Sequence, residues 1–188
     1  MKLSISLGRT NRNRPEELIE YAQFADRLGI DYIWSAEAWG TDAVTPLAFI
    51  AGHTQRIKLG TGIMQISARA PSMVAMTALS LAALSKGRFV LGLGVSGPQV
   101  VEGLHGADYS GPLTRLRETV DIVRLAFRGE KLVYDGKYHT LPRPGGEGKA
   151  LRLDHPPSPD LPIFLATLGP KALEYTGAAA DGWLGTSF

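Results

Sequence analysis

Residues 56–98 read RIKLGTGIMQISARAPSMVAMTALSLAALSKGRFVLGLGVSGP, and their reading decides the fold. An apolar, β-rich run at 57–63 leads through a loop into a helix opened by Pro71, where proline's missing N–H costs nothing. Gly87 stops that helix, and a second β-rich run follows at 88–93. The segment is a strand–helix–strand unit whose two strands both end in glycine-rich loops. Glycine there lets backbone come close to a ligand, at an entropic cost that a plain turn need not bear. In α/β folds, ligands sit at the carboxyl ends of the strands. The segment therefore points to an α/β fold and to the face that carries chemistry.

The same rhythm extends outward. Residues 2–8 alternate Leu3, Ile5 and Leu7 with polar positions, as a strand does. Pro15 opens a helix with Glu16 and Glu17 in its first turn, where acids favour the helix dipole. Leu18, Ala22, Ala25 and Leu28 share one face of it, and Gly29 stops it. Strands are expected at 31–35 and 162–166, and a last one at 181–186. Helices are expected at 45–53, 71–86 and 112–128, and another from Pro170. Between them, 131–140 reads as a β-hairpin about Asp135-Gly136, a dipeptide that favours the type I′ turn. Residues 142–160 are rich in Pro and Gly and read as an irregular excursion.

Six strands alternating with helices imply a parallel sheet. They are too few to close an eight-stranded barrel, which takes about 250 residues. An open doubly wound sheet could be complete at this length, so periodicity alone leaves both architectures open.

The 188 residues, 44% hydrophobic, suit one globular domain spanning 1–188. A net charge of +2 is too balanced to suggest nucleic acid or an anionic membrane as partner. Cysteine is absent, which removes disulfides, thiolate metal sites and thiol nucleophiles and fits a reducing cytoplasm. No signal peptide or bilayer-spanning run is visible, and a cytoplasmic location is expected.

Gly92-Leu93-Gly94-Val95-Ser96-Gly97 matches G-x-G-x-x-G. A dinucleotide fingerprint normally joins the first strand of its unit directly to a helix. Here it follows the fourth strand and precedes a loop, so a glycine-lined strand end is the better reading. Gly60-Thr61-Gly62-Ile63 ends the third strand, either as a bulge or as a place where backbone meets a flat ring. Thr167-Leu168-Gly169-Pro170-Lys171 opens a helix, and free N–H groups at such an end attract phosphate. Glu37, at the end of strand two, could polarise a substrate or hydrogen-bond a cofactor ring, or be a solvated loop acid or a partner for Arg69. The four histidines show no metal-like spacing, and of them only His105 lies in a loop on the ligand-bearing side. Arg115, Arg117 and Glu118 read as a charged helix face.

These residues carry a resemblance. The blocks AEAWGTDAVTPLAFIAGHTQRIKLGTGI, the R-x-P of Arg69 and Pro71, LSKGRFVLGLGVSGP, LATLGPKAL and AADGWL stand in the order of the luciferase-like monooxygenase superfamily. VSGPQVVEGLHG followed by PLTRLRE most resembles its members that depend on the deazaflavin F420. The resemblance implies a (β/α)₈ TIM barrel, incomplete here with about six βα units, with an insertion at about 131–160 and the C-terminal βα units absent. It implies a ring lying over Thr61, Gly62 and Ile63, with a cis peptide at Gly62–Ile63. Gly94, Ser96 and Gly97 would line the cofactor side. The phosphate would sit at Thr167, Leu168, Gly169 and Pro170. The cofactor would be F420, alternatively FMN. The reaction would be hydride transfer to or from a small organic substrate, or its oxidation by oxygen. Where many relatives carry a histidine after the strand-two acid, this chain has Ala38, and Glu37 takes the catalytic role. Open barrel edges would favour a homo-oligomer. An inert flavin-binding relative is the alternative, and a nicotinamide-binding Rossmann domain a more remote one.

Overall fold

A computed structural model describes residues 1–8 and 14–185. In chain order the elements are β1 (Ser4–Ser6), α1 (Pro15–Arg27), β2 (Tyr32–Ser35), α2 (Val44–Ala51), β3 (Lys58–Thr61) and β4 (Met64–Gln65). A single 3₁₀ turn (Ile66–Ala68) leads to α3 (Pro71–Leu84), β5 (Phe89–Gly94), the one-turn α4 (Pro98–Val101) and α5 (Pro112–Phe127). The hairpin strands β6 (Tyr134–Asp135) and β7 (Thr140–Leu141) come next, then β8 (Ile163–Ala166), α6 (Pro170–Ala179) and β9 (Gly182–Trp183).

The main sheet runs β1-β2-β3-β5-β8-β9, with every pair parallel and β4 continuing beside β5. A doubly wound sheet reverses its strand order at a switch point. Here the order never reverses, so the sheet is a stretch of singly wound barrel wall. One face of each strand meets the helices: Ile33, Leu59, Leu91, Leu93, Ile163 and Leu165 are buried with Leu79 of α3 and Val120, Val123 and Phe127 of α5. Burying each of the larger side chains contributes about 2–3 kcal/mol.

The opposite, concave face is filled by aromatics set against glycines. Trp34 of β2 is paired in register with Gly60 of β3, and a Cβ at Gly60 would lie 2.1 Å from the indole ring. Phe164 of β8 lies over Gly182 in the same way, at 2.6 Å. Trp34 and Phe164 meet at 6.0 Å between ring centroids.

Two charged side chains tie helix ends to strands. Asp26, near the end of α1, accepts the N–H groups of Gln55, Arg56 and Ile57 at 2.7, 3.0 and 2.7 Å. Arg88, just before β5, donates to the carbonyls of Ala51, Thr54 and Ile57 at 2.8, 3.1 and 2.8 Å. Its charge thereby meets the C-terminal carbonyls of α2, where a cation is favoured.

The structure departs from the sequence reading in four places. Leu28 is the C-cap of α1 and is exposed, because the helix ends before its face can turn inward. The hairpin is not a two-residue type I′ turn. Asp135 belongs to β6, and residues 136–139 form the loop, closed by Gly136 N–H to the His139 carbonyl at 2.9 Å. Glu118 is buried rather than part of a solvated face. It accepts the N–H groups of Lys137, Tyr138 and His139 at 2.7, 3.0 and 2.8 Å, and its Oε2 lies 3.0 Å from His139 Nδ1. The last strand is the short Gly182–Trp183; Thr186, expected at its end, lies outside the described residues.

Candidate functional site

The site starts from a change of register. Leu59 and Gly60 of β3 pair with Phe89 and Val90, whereas Met64 and Gln65 of β4 pair with Leu93 and Gly94. Three residues separate Gly60 from Met64, but only two separate Val90 from Leu93. The strand therefore holds one extra residue, a β-bulge, within 61–63. Bulges re-aim side chains and recur beside active sites. Here the bulge turns both Gly62 and Ile63 to the concave face. A Cβ on Gly94 would sit 2.5 Å from Ile63 Cδ1, and one on Gly62 would sit 3.3 Å from Trp34 Cβ. The Gly62–Ile63 peptide is cis, at the position the resemblance implied.

Thr61 fastens the bulge from behind. It is fully buried; its hydroxyl donates to the Gly92 carbonyl and accepts the Gly92 N–H, both at 2.8 Å. A Cβ on Gly92 would lie 1.8 Å from the Thr61 carbonyl oxygen, so only glycine fits this approach. The Thr61 hydroxyl is thus committed inside the wall and does not reach the concave side.

Glu37 is buried as well. Its Oε1 receives Arg69 Nη1 at 2.6 Å and the Gln65 N–H at 3.3 Å, and its Oε2 receives the Ala43 N–H at 3.1 Å. Its own N–H donates to the Ile63 carbonyl at 3.2 Å, and Gly62 N–H donates to the Ser35 carbonyl at 2.7 Å. The end of β2 thereby holds residues 62–65 at several points. Such an ion pair is costly to break on one side only, because the remaining charge is left buried.

Gln65 was not singled out by the sequence. It is buried, with its Nε2 2.7 Å from His105 Nε2, while Ser67 donates to its Oε1 at 3.3 Å. The amide nitrogen thus faces the imidazole. A lone polar residue after an apolar run gives no warning of this role. Ser96 has a left-handed φ of 58°, and its carbonyl accepts the Tyr109 hydroxyl at 3.2 Å.

Gln65, Gly94 and Ala166 stand in one row across the sheet. The loops bearing Ile63, Ser96–Gly97 and Thr167–Pro170 are therefore neighbours at one sheet edge. Thr176 donates to the Ala172 carbonyl at 2.8 Å, so the Thr167 hydroxyl, 2.7 Å from that of Thr176, donates to it. The Thr167 carbonyl accepts Trp183 Nε1 at 2.9 Å. Thr167 is buried and locked, whereas Leu168, Gly169 and Pro170 are exposed. Gly169 is the N-cap of α6, with no side-chain cap bond and open space where its Cβ would be. The residues present thus fit a flat ring over 62–63 and an anion at the start of α6.

Two clefts flank this edge. One, of about 640 Å³, lies between the ends of β1 and β2 and the first turns of α1 and α2. The other, of about 320 Å³, lies between Arg69, Tyr109, Arg115 and His139. Among the described residues, no helix is long and apolar enough to cross a membrane.

The family model for luciferase-like monooxygenases matches residues 2–188. A Mycobacterium tuberculosis protein whose name assigns it as a coenzyme F420-dependent oxidoreductase is 46% identical over 98% of this chain and 55% of its own length. The 5,10-methylenetetrahydromethanopterin reductase of Methanolobus tindarius is 32% identical over 89% of this chain and 49% of its own. Among solved structures, a monooxygenase from Streptomyces bottropensis superimposes with a TM-score of 0.83 at 25% identity, over 98% of this chain and 59% of that one. The chain spans about half the length of the curated relatives it matches. Its singly wound wall and its match from residue 2 to residue 188 make this chain a member of the luciferase-like monooxygenase family.

Proposed function

We propose that the chain is the cofactor-bearing part of an oxidoreductase that uses F420 to act on a small organic substrate. The observation that carries this reading is 46% identity, over 98% of the chain, to a relative named as F420-dependent. The row of strand ends that brings Ile63, Gly94 and the 167–170 loop together supports it. When bound, such a cofactor supplies or accepts a hydride at its ring.

The chain's own residues then divide the work. Gly62, Ile63 and Gly94 offer a face without polar side chains for the ring. Ser96 and Gly97 border it. Leu168, Gly169 and Pro170 present the start of α6 to the phosphate. Thr61 and Thr167 hold these loops from behind, since both hydroxyls are already committed. Glu37 positions the 62–65 segment through Arg69 and the Gln65 N–H instead of facing the substrate.

Fluorescence titration of the purified chain with F420 and, at matched salt, with FMN tests the proposal. Saturable binding of F420, tighter than that of FMN, is expected. The absence of saturable F420 binding overturns it.

A further inference from the structure

The cleft of about 320 Å³ lies between the loop from β4 into α3, the loop after α4 and the first turns of α5. Its volume is at the small end of the roughly 300–1,000 Å³ range of small-molecule sites. Ile66, Val95, Val101 and Pro112 give it an apolar side. The charged side chains in its described lining are two guanidinium groups, Arg69 and Arg115, and one carboxylate, Asp108. The His139 imidazole also lines it, with its Nδ1 already held by Glu118.

Both oxygens of the carboxylate are engaged. Asp108 Oδ1 accepts the Ser110 N–H at 2.9 Å, and Oδ2 accepts the Ser110 hydroxyl and, at 2.8 Å, Arg115 Nη2. The guanidinium groups are less fully spent. Arg69 commits Nη1 to Glu37, and Arg115 commits Nε to the Ser110 carbonyl and Nη2 to Asp108. Arg69 Nε and Nη2 and Arg115 Nη1 have no hydrogen-bond partner among the described residues. A cation entering the cleft meets two like charges and a carboxylate that is already bonded. An incoming carboxylate meets open N–H groups that bear charge, and such bonds are stronger than neutral ones. The resident pair is a weak competitor, because the Asp108 side chain is 62% exposed and water screens it. Residues 9–13 and 186–188, outside the described part, include no Asp or Glu.

We propose that this cleft binds a small organic carboxylate, with its charged end on Arg69 and Arg115 and its apolar body against Val95 and Val101. Arg69 also holds Glu37, which accepts the Gln65 N–H, so the ligand sits one side chain away from the support of the bulge. The assignment owes nothing to the proposed function and is measured without cofactor.

The probes are benzoate and benzamide, which share a ring and differ in charge. Calorimetric titration of the purified chain at fixed low salt is expected to show saturable binding of benzoate and at least tenfold weaker binding of benzamide. Arg115→Met keeps an apolar stem, removes the guanidinium and should weaken benzoate at least tenfold. Asp108→Asn removes the competing charge and should tighten benzoate at least threefold, a gain that an unfolded variant cannot give. Circular dichroism checks that both variants are folded, and if Arg115→Met is not, Asp108→Asn decides. No saturable binding of benzoate overturns the assignment, as does benzamide binding of equal strength. So does a benzoate affinity that folded Arg115→Met or Asp108→Asn leaves unchanged. Selective benzoate binding that responds to both variants, in a chain that fails to bind F420, would leave the cleft assignment standing and remove the proposed function alone.

Discussion

Glu37 shows what a single side chain can do by facing inward. Arg69 and two backbone N–H groups surround its carboxylate, and all of them belong to segments that must meet at the bulge. Glu37→Ala leaves Arg69 half-buried without its partner and should cost about 3 kcal/mol of stability, measured by urea unfolding. Arg69→Ala should cost a similar amount, and the double variant markedly less than the sum of the two. Additive losses would mean that the pair is not coupled. The pairing of Glu37 with Arg69 is one of several readings the residues allow. Which of them holds depends on how loops 32 residues apart fold back, and periodicity does not encode that.

Among the elements, the hairpin is the most instructive. Asp135-Gly136 promised a tight turn, yet the loop is four residues long because a carboxylate on α5 supplies the closing partner. Burial disfavours the Glu118 charge, but the N–H groups of Tyr138, Lys137 and His139 and the His139 ring outweigh it, holding the group below its ordinary value of 4.5. A carboxyl whose folded value is depressed contributes stability that is fully present above 4.5 and is lost as pH falls through the lower folded value. The amide resonances of Lys137, Tyr138 and His139 should therefore titrate together with a midpoint below 4.5, and should stay flat in Glu118→Gln. Separate midpoints, or one at 4.5, would show that the carboxylate does not clasp the loop. The helix and strand positions were legible from Pro and Gly punctuation to within a few residues. Glu118 was not, because a single acid on an amphipathic helix looks the same whether water or a hairpin covers it.

Across the whole molecule, the sequence revealed alternating strands and helices but left the winding open. Strand order separates a barrel wall from a doubly wound sheet, and order arises from long-range pairing. The resemblance, carried by ordered blocks along nearly the full chain, identified the barrel where periodicity could not. The concave face shows the same limit. Gly60 opens a run that reads either as a bulge or as backbone meeting a flat ring, yet its lack of a side chain makes room for Trp34. Gly60→Ala places a methyl group inside the indole's position and should displace Trp34 from its stack with Tyr32, now at 5.4 Å between ring centroids. A loss of about 1–3 kcal/mol is expected, with a shifted tryptophan emission maximum. Wild-type stability with unchanged emission would show that the aromatic filling is loose.

In evolutionary terms, a more regular sheet lies one in-frame codon deletion away. Removing a residue between Gly60 and Met64 would let the ladder beside β5 run without interruption, with each side chain alternating as in any other strand. The same deletion would strip the concave side of one of the two consecutive positions, Gly62 and Ile63, that now share it. A single lost codon would thus trade two neighbouring concave positions for an uninterrupted ladder.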